Sequence, residues 1–279
     1  MRQTLQFGRF GFPLDAPVQM PLVMGILNIT PDSFSDGGQF QSLDSALSRA
    51  EQMIADGVDI IDVGGESSRP GAPALPLQQE MDRVMPVLYA LRDCGKPISI
   101  DTWKPEVMRE AIAAGVDMIN DINGLRAPGA LEAVQGSDCA LCIMHMQNTP
   151  LVMQQQPEYV DVVRQVIDFL QQRVAVLTAA GIDRQRLCID PGFGFGKTVQ
   201  HNFALLKALG QIRLELNLPL LAGLSRKSML GAVTGKPVEQ RLAGSLAGIL
   251  VAVEHGADIV RVHDVSETVD ALKVWRAAH

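Results

Sequence analysis

Eight short apolar runs recur along the chain, at residues 22–27, 59–63, 97–100, 118–122, 140–144, 187–189, 219–224 and 258–262. Most are rich in Ile, Val and Leu, too short for helices, and without clean polar alternation. That is the pattern of strands covered on both faces in a parallel sheet. Between them lie amphipathic stretches with helical spacing. Leu43, Ala46, Leu47, Ala50 and Ile54 form one stripe, stopped by Gly57, and Met81, Val84, Met85, Leu88 and Leu91 form another, stopped by Gly95. Pro105 suits a first helical position ahead of Val107, Met108, Ala111 and Ile112, with Gly115 after them. The longest stripe runs over 159–180 and ends at Gly181, and helices are further predicted over 205–216, 240–254 and 266–277.

A faint repeat runs through this alternation. ADGVDII, AAGVDMI and HGADIV each read helix end, Gly, Asp, apolar strand, as expected where a left-handed glycine stops a helix and the chain enters a buried strand. Strand and helix alternating over eight strands predicts an α/β fold, a single-domain (β/α)8 TIM barrel with its active site at the C-terminal ends of the strands. A doubly wound open sheet is the other arrangement, weakened in its dinucleotide-binding form by the absence of GxGxxG after the first strand. Residues 1–20 are expected as an extension packed on or before the barrel, and 21–279 as the barrel itself. Two connections, 31–41 and 67–76, are long for a barrel and follow strand C-termini, where long loops act as lids or binding loops.

The strand tips change the picture from fold to chemistry. In MGILNITPDSFSDGG a buried strand turns abruptly polar at Asn28, and the other tips follow suit. They carry Glu66-Ser67-Ser68-Arg69, Asp101, Asn120, Met144-His145, Asp190-Pro191-Gly192-Phe193, Ser225-Arg226-Lys227-Ser228 and Arg261-Val262-His263. Singly, each has a bland explanation. Asp101 could cap the helix beginning near Pro105, Asn120 could satisfy loop backbone, His145 could be a core histidine, and Arg226 and Lys227 could be solvated residues at a helix start. Convergence of all of them on one rim argues for a binding site.

Arg261 and His263 are two apart and both face the barrel mouth beside Ser225 and Lys227, forming a cation cluster suited to phosphate or pyrophosphate. The 24 Lys and Arg against 31 Asp and Glu give a net charge of -7, so an anion must be caught by such placed groups. The same balance argues against nucleic acid as a partner. Opposite the cations, Asp101, Asn120 and Asp190 suit the edge of a flat 2-amino-pyrimidinone such as a pterin or guanine, with Met144, Phe193 and Phe195 touching its faces. DPGFGFGK lacks P-loop spacing. Paired carboxylates could serve glycoside hydrolysis, but two Trp and two Tyr make a poor sugar platform. No apolar stretch reaches membrane length and no h-region opens the chain, so a cytoplasmic protein with no membrane partner is expected. The four cysteines read as core thiols, including the Cys139/Cys142 pair, whose spacing on a strand points them to opposite faces.

Taken together, MGILNITPDSFSDGG, DVGGESSRPGA, SIDTWKPEV, DMINDINGL, IMHMQ, DPGFGFGK, GLSRKSMLG and RVHDV resemble the bacterial dihydropteroate synthases, in order and with few gaps from about Met24 onward. The resemblance implies a barrel enzyme of folate synthesis that condenses 6-hydroxymethyl-7,8-dihydropterin pyrophosphate with para-aminobenzoate, releases pyrophosphate and uses Mg2+. It implies that Asp101, Asn120, Asp190 and Lys227 hold the pterin with Met144 against the ring. Asn28, Arg261 and His263 would take the pyrophosphate, with Asn28 also reaching Mg2+, and Lys227, Arg261, His263 and Asn28 would form the catalytic set. Ser68, Arg69, Pro70, Phe193 and Ser225 would line the para-aminobenzoate pocket, and Gly223 and Phe195 complete the substrate-contacting residues.

Ser68 stands where Thr is common in that family, keeping the hydroxyl and losing a methyl, and Asn148-Thr149 stands where Gly-Asn is expected. A homodimer and sulfonamide susceptibility are further implications of the resemblance. Asn28 is expected to be a fixed ligand, and residues 30–38 a separable flap. Arg261→Ala is expected to cripple turnover while leaving pterin binding largely intact. A methyltransferase domain that binds pterin, or a non-catalytic pterin-binding protein, would share the barrel. The first has no evident need for the 225–228 cluster, and the second would have lost Asn28, Arg261 and His263.

Overall fold

The computed structural model describes residues 4–13, 20–29, 38–67, 74–147, 153 and 157–279, with the side chains of 38–42 outside this set. The flap residues 30–37, the Ser68-Arg69-Pro70 segment and Asn148-Thr149 therefore lie outside the described residues.

The chain opens with β1 (Thr4–Phe7) and β2 (Phe10–Pro13), an antiparallel hairpin. Eight parallel strands follow: β3 (Leu22–Asn28), β4 (Ile60–Gly64), β5 (Ile98–Asp101), β6 (Met118–Asp121), β7 (Ala140–Met144), β8 (Leu187–Asp190), β9 (Leu221–Ala222) and β10 (Ile259–Val262). The order β8-β7-β6-β5-β4-β3-β10-β9 is closed by a bridge between Ile189 and Leu220, where the Ile189 N–H donates to the Pro219 carbonyl at 2.9 Å. The predicted barrel is thus present. Its seventh strand is shorter than the 219–224 run suggested, because Gly223 onward already turns into the rim.

Helices cover the outside: α1 (Gly38–Ala55), α2 (Leu77–Leu91), α3 (Pro105–Ala114), α4 (Ala130–Val134), α5 (Val162–Ala179), α6 (Val199–Lys207), α7 (Leu209–Leu216), α8 (Ser228–Thr234), α9 (Leu242–Glu254) and α10 (Val265–Ala277). The expected single helix over 205–216 is two. Thr198 caps α6 by accepting from the His201 N–H at 3.1 Å, so that helix starts well before the apolar run. The backbone then leaves helical geometry at Ala208. Both α4 and α8 escaped periodicity because they are too short to show it.

The repeat has a structural cause. Gly57, Gly115 and Gly256 share φ +92°. The aspartate two residues on turns back to the neighbouring strand: Asp59 accepts from the Val23 N–H at 2.8 Å, Asp117 from Ile98 at 3.0 Å and Asp258 from Leu220 at 2.9 Å. Each carboxylate fastens an otherwise orphaned donor at the N-terminal end of the barrel. That end is also plugged. Leu5 and Phe7 of the hairpin are fully buried against the inward side chains Met24, Ile60, Met118, Cys142, Cys188, Leu221 and Ile259. Cys139 belongs instead to the core between barrel and helices, so the two cysteines of the pair face opposite ways. With the bottom filled and apolar, the polar groups have only the opposite end to occupy.

Candidate active site

Above the apolar floor, alternate residues of each strand continue inward and become polar: Asp62, Ser99, Asp101, Asn120, Asp190 and Arg261. The sequence placed all of these at the rim except Asp62 and Ser99. Asp62 is fully buried and sits at the centre of the network. Arg261 donates from Nε to Asp62 Oδ2 at 2.6 Å and from Nη2 to Asp101 Oδ2 at 2.7 Å. Asn120 Nδ2 also reaches Asp62 Oδ2, at 3.3 Å. A charge inside the apolar run IIDVG, two residues after the inward Ile60, was the available signal for Asp62. Its Oδ1 and the Ser99 hydroxyl, paired in the β4–β5 register, have no hydrogen-bond partner among the described residues. Such a buried unused acceptor costs on the order of 1–3 kcal/mol unless a ligand uses it.

Asp101 does not cap α3, whose N-terminus at Lys104 has no side-chain cap. Burial instead pushes its carboxyl up to about 7 despite the opposing pull of Arg261, with Asp62 adding to the rise. The helix-cap explanation therefore fails for this residue. Arg261 is held firmly cationic by the two carboxylates, which outweigh its burial.

Asp190 lies across the mouth. Its Oδ1 accepts from the Gly192 N–H at 2.7 Å, and burial raises its pKa against the pull of Lys227. Gly192 has φ +72°, and a Cβ there would lie 1.9 Å from the His145 carbonyl oxygen, so no other residue fits. Lys197, the lysine of DPGFGFGK, is buried beneath this loop. Its Nζ donates to the carbonyls of Gly192 at 2.9 Å, Phe195 at 3.0 Å and His145 at 3.3 Å. It also lies 2.9 Å from His145 Nδ1. Burial, then the neighbouring lysine, push His145 down to about 2. His145 is therefore a neutral buried ring packed edge-on against Phe169, and the core-histidine explanation holds.

Lys227 points into the mouth, as a solvated helix-start residue would not. Its Nζ donates to the Phe193 carbonyl and lies 4.5 Å from the Phe195 ring centroid. Burial lowers its pKa to about 8, resisted by Asp190. This corrects one expectation. Phe193 is 1% exposed and belongs to the core between barrel and helices, so it offers the site its carbonyl and not its ring. Phe195 clusters with Met144, Ile122 and Met146, and these supply the apolar surface. Gly223 stands between Arg261 and Asp190, where a Cβ would come within 3.9 Å of both, keeping the floor of the mouth open.

Ser225 is buried and serves His263. Its Oγ accepts from the His263 backbone N–H at 3.2 Å and lies 3.0 Å from ring Nδ1. Asn28 ends β3 with its side chain exposed at the rim, in register with Gly64. Among the described residues no cluster of three His, Cys, Asp or Glu side chains is arranged to hold a metal. Asn28 offers one hard amide oxygen at this rim, which fits Mg2+, an ion that takes one or two protein oxygens and keeps its other positions for water and phosphate.

A second network flanks the 67–76 connection. Lys104 Nζ is held by both Glu66 and Glu80, and Glu80 also accepts from Thr102 Oγ1 at 2.6 Å. Glu66 accepts from Trp103 Nε1 at 3.2 Å and from the Leu75 N–H at 3.0 Å. The carboxylate before the loop thus ties down its far end.

Residues 24–263 match the family model described as pterin binding enzyme. The chain belongs to the dihydropteroate synthase family of pterin-binding enzymes. It is 53% identical to the dihydropteroate synthase of Haemophilus influenzae, over 93% of this chain and 94% of that one. The dihydropteroate synthase of Burkholderia cenocepacia, solved with 7,8-dihydropteroate, superposes with a TM-score of 0.89 at 53% identity, covering 99% of this chain and 96% of that one. The Xanthomonas albilineans enzyme with 4-aminobenzoic acid gives a TM-score of 0.91 at 47% identity, covering 100% and 98%. The members are transferases of folate biosynthesis with this barrel, and the chain covers 94% to 98% of the three relatives just named.

Proposed function

We infer that the chain joins 6-hydroxymethyl-7,8-dihydropterin pyrophosphate to para-aminobenzoate, giving 7,8-dihydropteroate and pyrophosphate. The observation that carries this is the meeting, at one barrel mouth, of half-buried Asp101 and buried Asn120 and Asp190 with Lys227, Arg261 and His263. Near-complete coverage by the dihydropteroate synthases favours this reading over a methyltransferase or a non-catalytic binder.

The carboxylates of Asp101 and Asp190 accept N–H bonds from the pterin edge, and Asn120 both donates and accepts. Met144 and Phe195 cover the ring, and Lys227 closes the side nearest Phe195. Asn28 and His263 face the pyrophosphate, His263 being oriented by Ser225. Ser68, Arg69 and Pro70 receive para-aminobenzoate or a sulfonamide that mimics it. Mg2+ would be held by Asn28 and would neutralise charge on the leaving pyrophosphate.

The bond from the pterin CH2 to the pyrophosphate oxygen breaks first, its electron pair leaving with the oxygen, while the electron-rich dihydropterin spreads the positive charge. Arg261 and His263 stabilise the departing anion. The neutral amine then gives its lone pair to the CH2 carbon and passes a proton from nitrogen to the departed pyrophosphate or to water. No side chain forms a bond to the pterin. Incubation with both substrates and Mg2+ should yield dihydropteroate only when both are present, and intact mass spectrometry of the quenched enzyme should show no added pterin. A trapped covalent adduct would overturn this route. A cytoplasmic location and a homodimer complete the reading. Among the described residues no helix is long and apolar enough to cross a membrane.

A further inference from the structure

Beyond Asn28 and His263 the rim continues into a pocket of about 280 Å3, lined by the polar residues Asn28, Ser45, Arg49, Arg226 and His263 and by apolar neighbours from β3 and α1. Its charges are unequally spoken for. Arg226 is paired with Asp264, its Nε 3.1 Å from Oδ2 and its Nη2 on Oδ1. Arg261 is shared by Asp62 and Asp101, so that buried trio carries one more formal negative charge than positive. Arg49, projecting from α1, donates from Nη2 to the His263 carbonyl at 3.0 Å and has no carboxylate partner among the described residues. Among the described residues it is the arginine of this pocket without a carboxylate to offset its charge. A guanidinium has five donors, and one carbonyl uses few of them.

We propose that Arg49 binds the distal phosphate of the pyrophosphate group, in the pocket between α1 and the tips of β3 and β10. Resting on the functional reading above, this gives the leaving group a cation that Arg261, committed to two carboxylates, does not supply alone. It also makes the site prefer a pyrophosphate ester to a monophosphate, because the distal phosphate is the group that Arg49 binds. The same guanidinium, through the His263 carbonyl, couples α1 to the strand tip that carries His263.

Isothermal titration of pyrophosphate with Mg2+ into the wild type, Arg49→Gln and Arg49→Lys separates charge from scaffolding. Glutamine keeps a donor for the His263 carbonyl and loses the charge. A charge-assisted hydrogen bond lost at this pocket should weaken pyrophosphate binding in Arg49→Gln roughly tenfold to a hundredfold. Arg49→Lys should stay within about threefold of the wild type, since a point charge still serves phosphate. Binding of 6-hydroxymethyl-7,8-dihydropterin without its pyrophosphate should be unchanged in all three. Wild-type affinity for pyrophosphate in Arg49→Gln, equal weakness of the Gln and Lys variants, or an equal loss of the unphosphorylated pterin would each overturn the assignment. Failure of the wild type itself to bind pyrophosphate would overturn the functional reading beneath it.

Discussion

Arg261 is shared between two tasks at the level of the single residue. Its guanidinium faces Asp62 and Asp101, which argues against the clean separation expected from sequence, in which Arg261→Ala leaves pterin binding largely intact. Removing it leaves two buried carboxylates without their cation, a change of the kind that costs about 3–5 kcal/mol. Calorimetry on Arg261→Ala should therefore find pterin affinity lowered at least tenfold along with turnover, and a lower melting temperature. Unchanged pterin affinity would restore the original division. Asp101 and Lys227 set the pH response. With its pKa raised to about 7, Asp101 takes up a proton and loses its acceptor role as the pH falls through that value. With its pKa lowered to about 8, Lys227 loses its charge as the pH rises through it. Pterin affinity measured across this range should thus rise and then fall, with its maximum between the two. A flat profile would remove both groups from the binding step.

Among the elements, the connection after β4 is anchored by one carboxylate. Glu66 accepts from Leu75 across the loop that carries Ser68, Arg69 and Pro70, while Lys104 keeps Glu80 as a second partner. In Glu66→Ala the loop ends are released without stranding Lys104. The expected result is a rise of about tenfold in KM for para-aminobenzoate, with pterin affinity within about twofold of the wild type, the scale of one lost charge-assisted hydrogen bond. Equal losses for both substrates would show that the network supports the whole rim. Legibility in the sequence differed by element. The strands and the long helices were plain in the apolar spacing, and the rim residues Asn28, Asp101, Asn120, Asp190, Lys227, Arg261 and His263 stood out as polar groups ending apolar runs. Asp62, Lys197 and Glu80 did not, because their partners are 22 to 199 residues distant or carbonyls of a folded turn, and spacing reveals neither. Phe193 and Phe195 share one motif, and only packing distinguishes the ring in the outer core from the ring that clusters with Met144 at the mouth.

For the molecule as a whole, the two ends of the barrel divide stability from chemistry. The hairpin fills the N-terminal end with Leu5 and Phe7, and the repeated Gly–x–Asp fastens strands there. Phe7→Ala should cost about 3–5 kcal/mol of stability while kcat at a permissive temperature stays within about twofold of the wild type. A matching fall in kcat would mean the floor of the barrel also shapes the mouth. The mouth joins a pterin site to a leaving-group site and makes one carbon–nitrogen bond between them. The most direct check is to quantify pyrophosphate and dihydropteroate together after mixing enzyme, Mg2+, the pterin pyrophosphate and para-aminobenzoate. Equal amounts of the two products, formed only with the amine present, are predicted. Tight pterin binding with no pyrophosphate released on adding the amine would contradict the account.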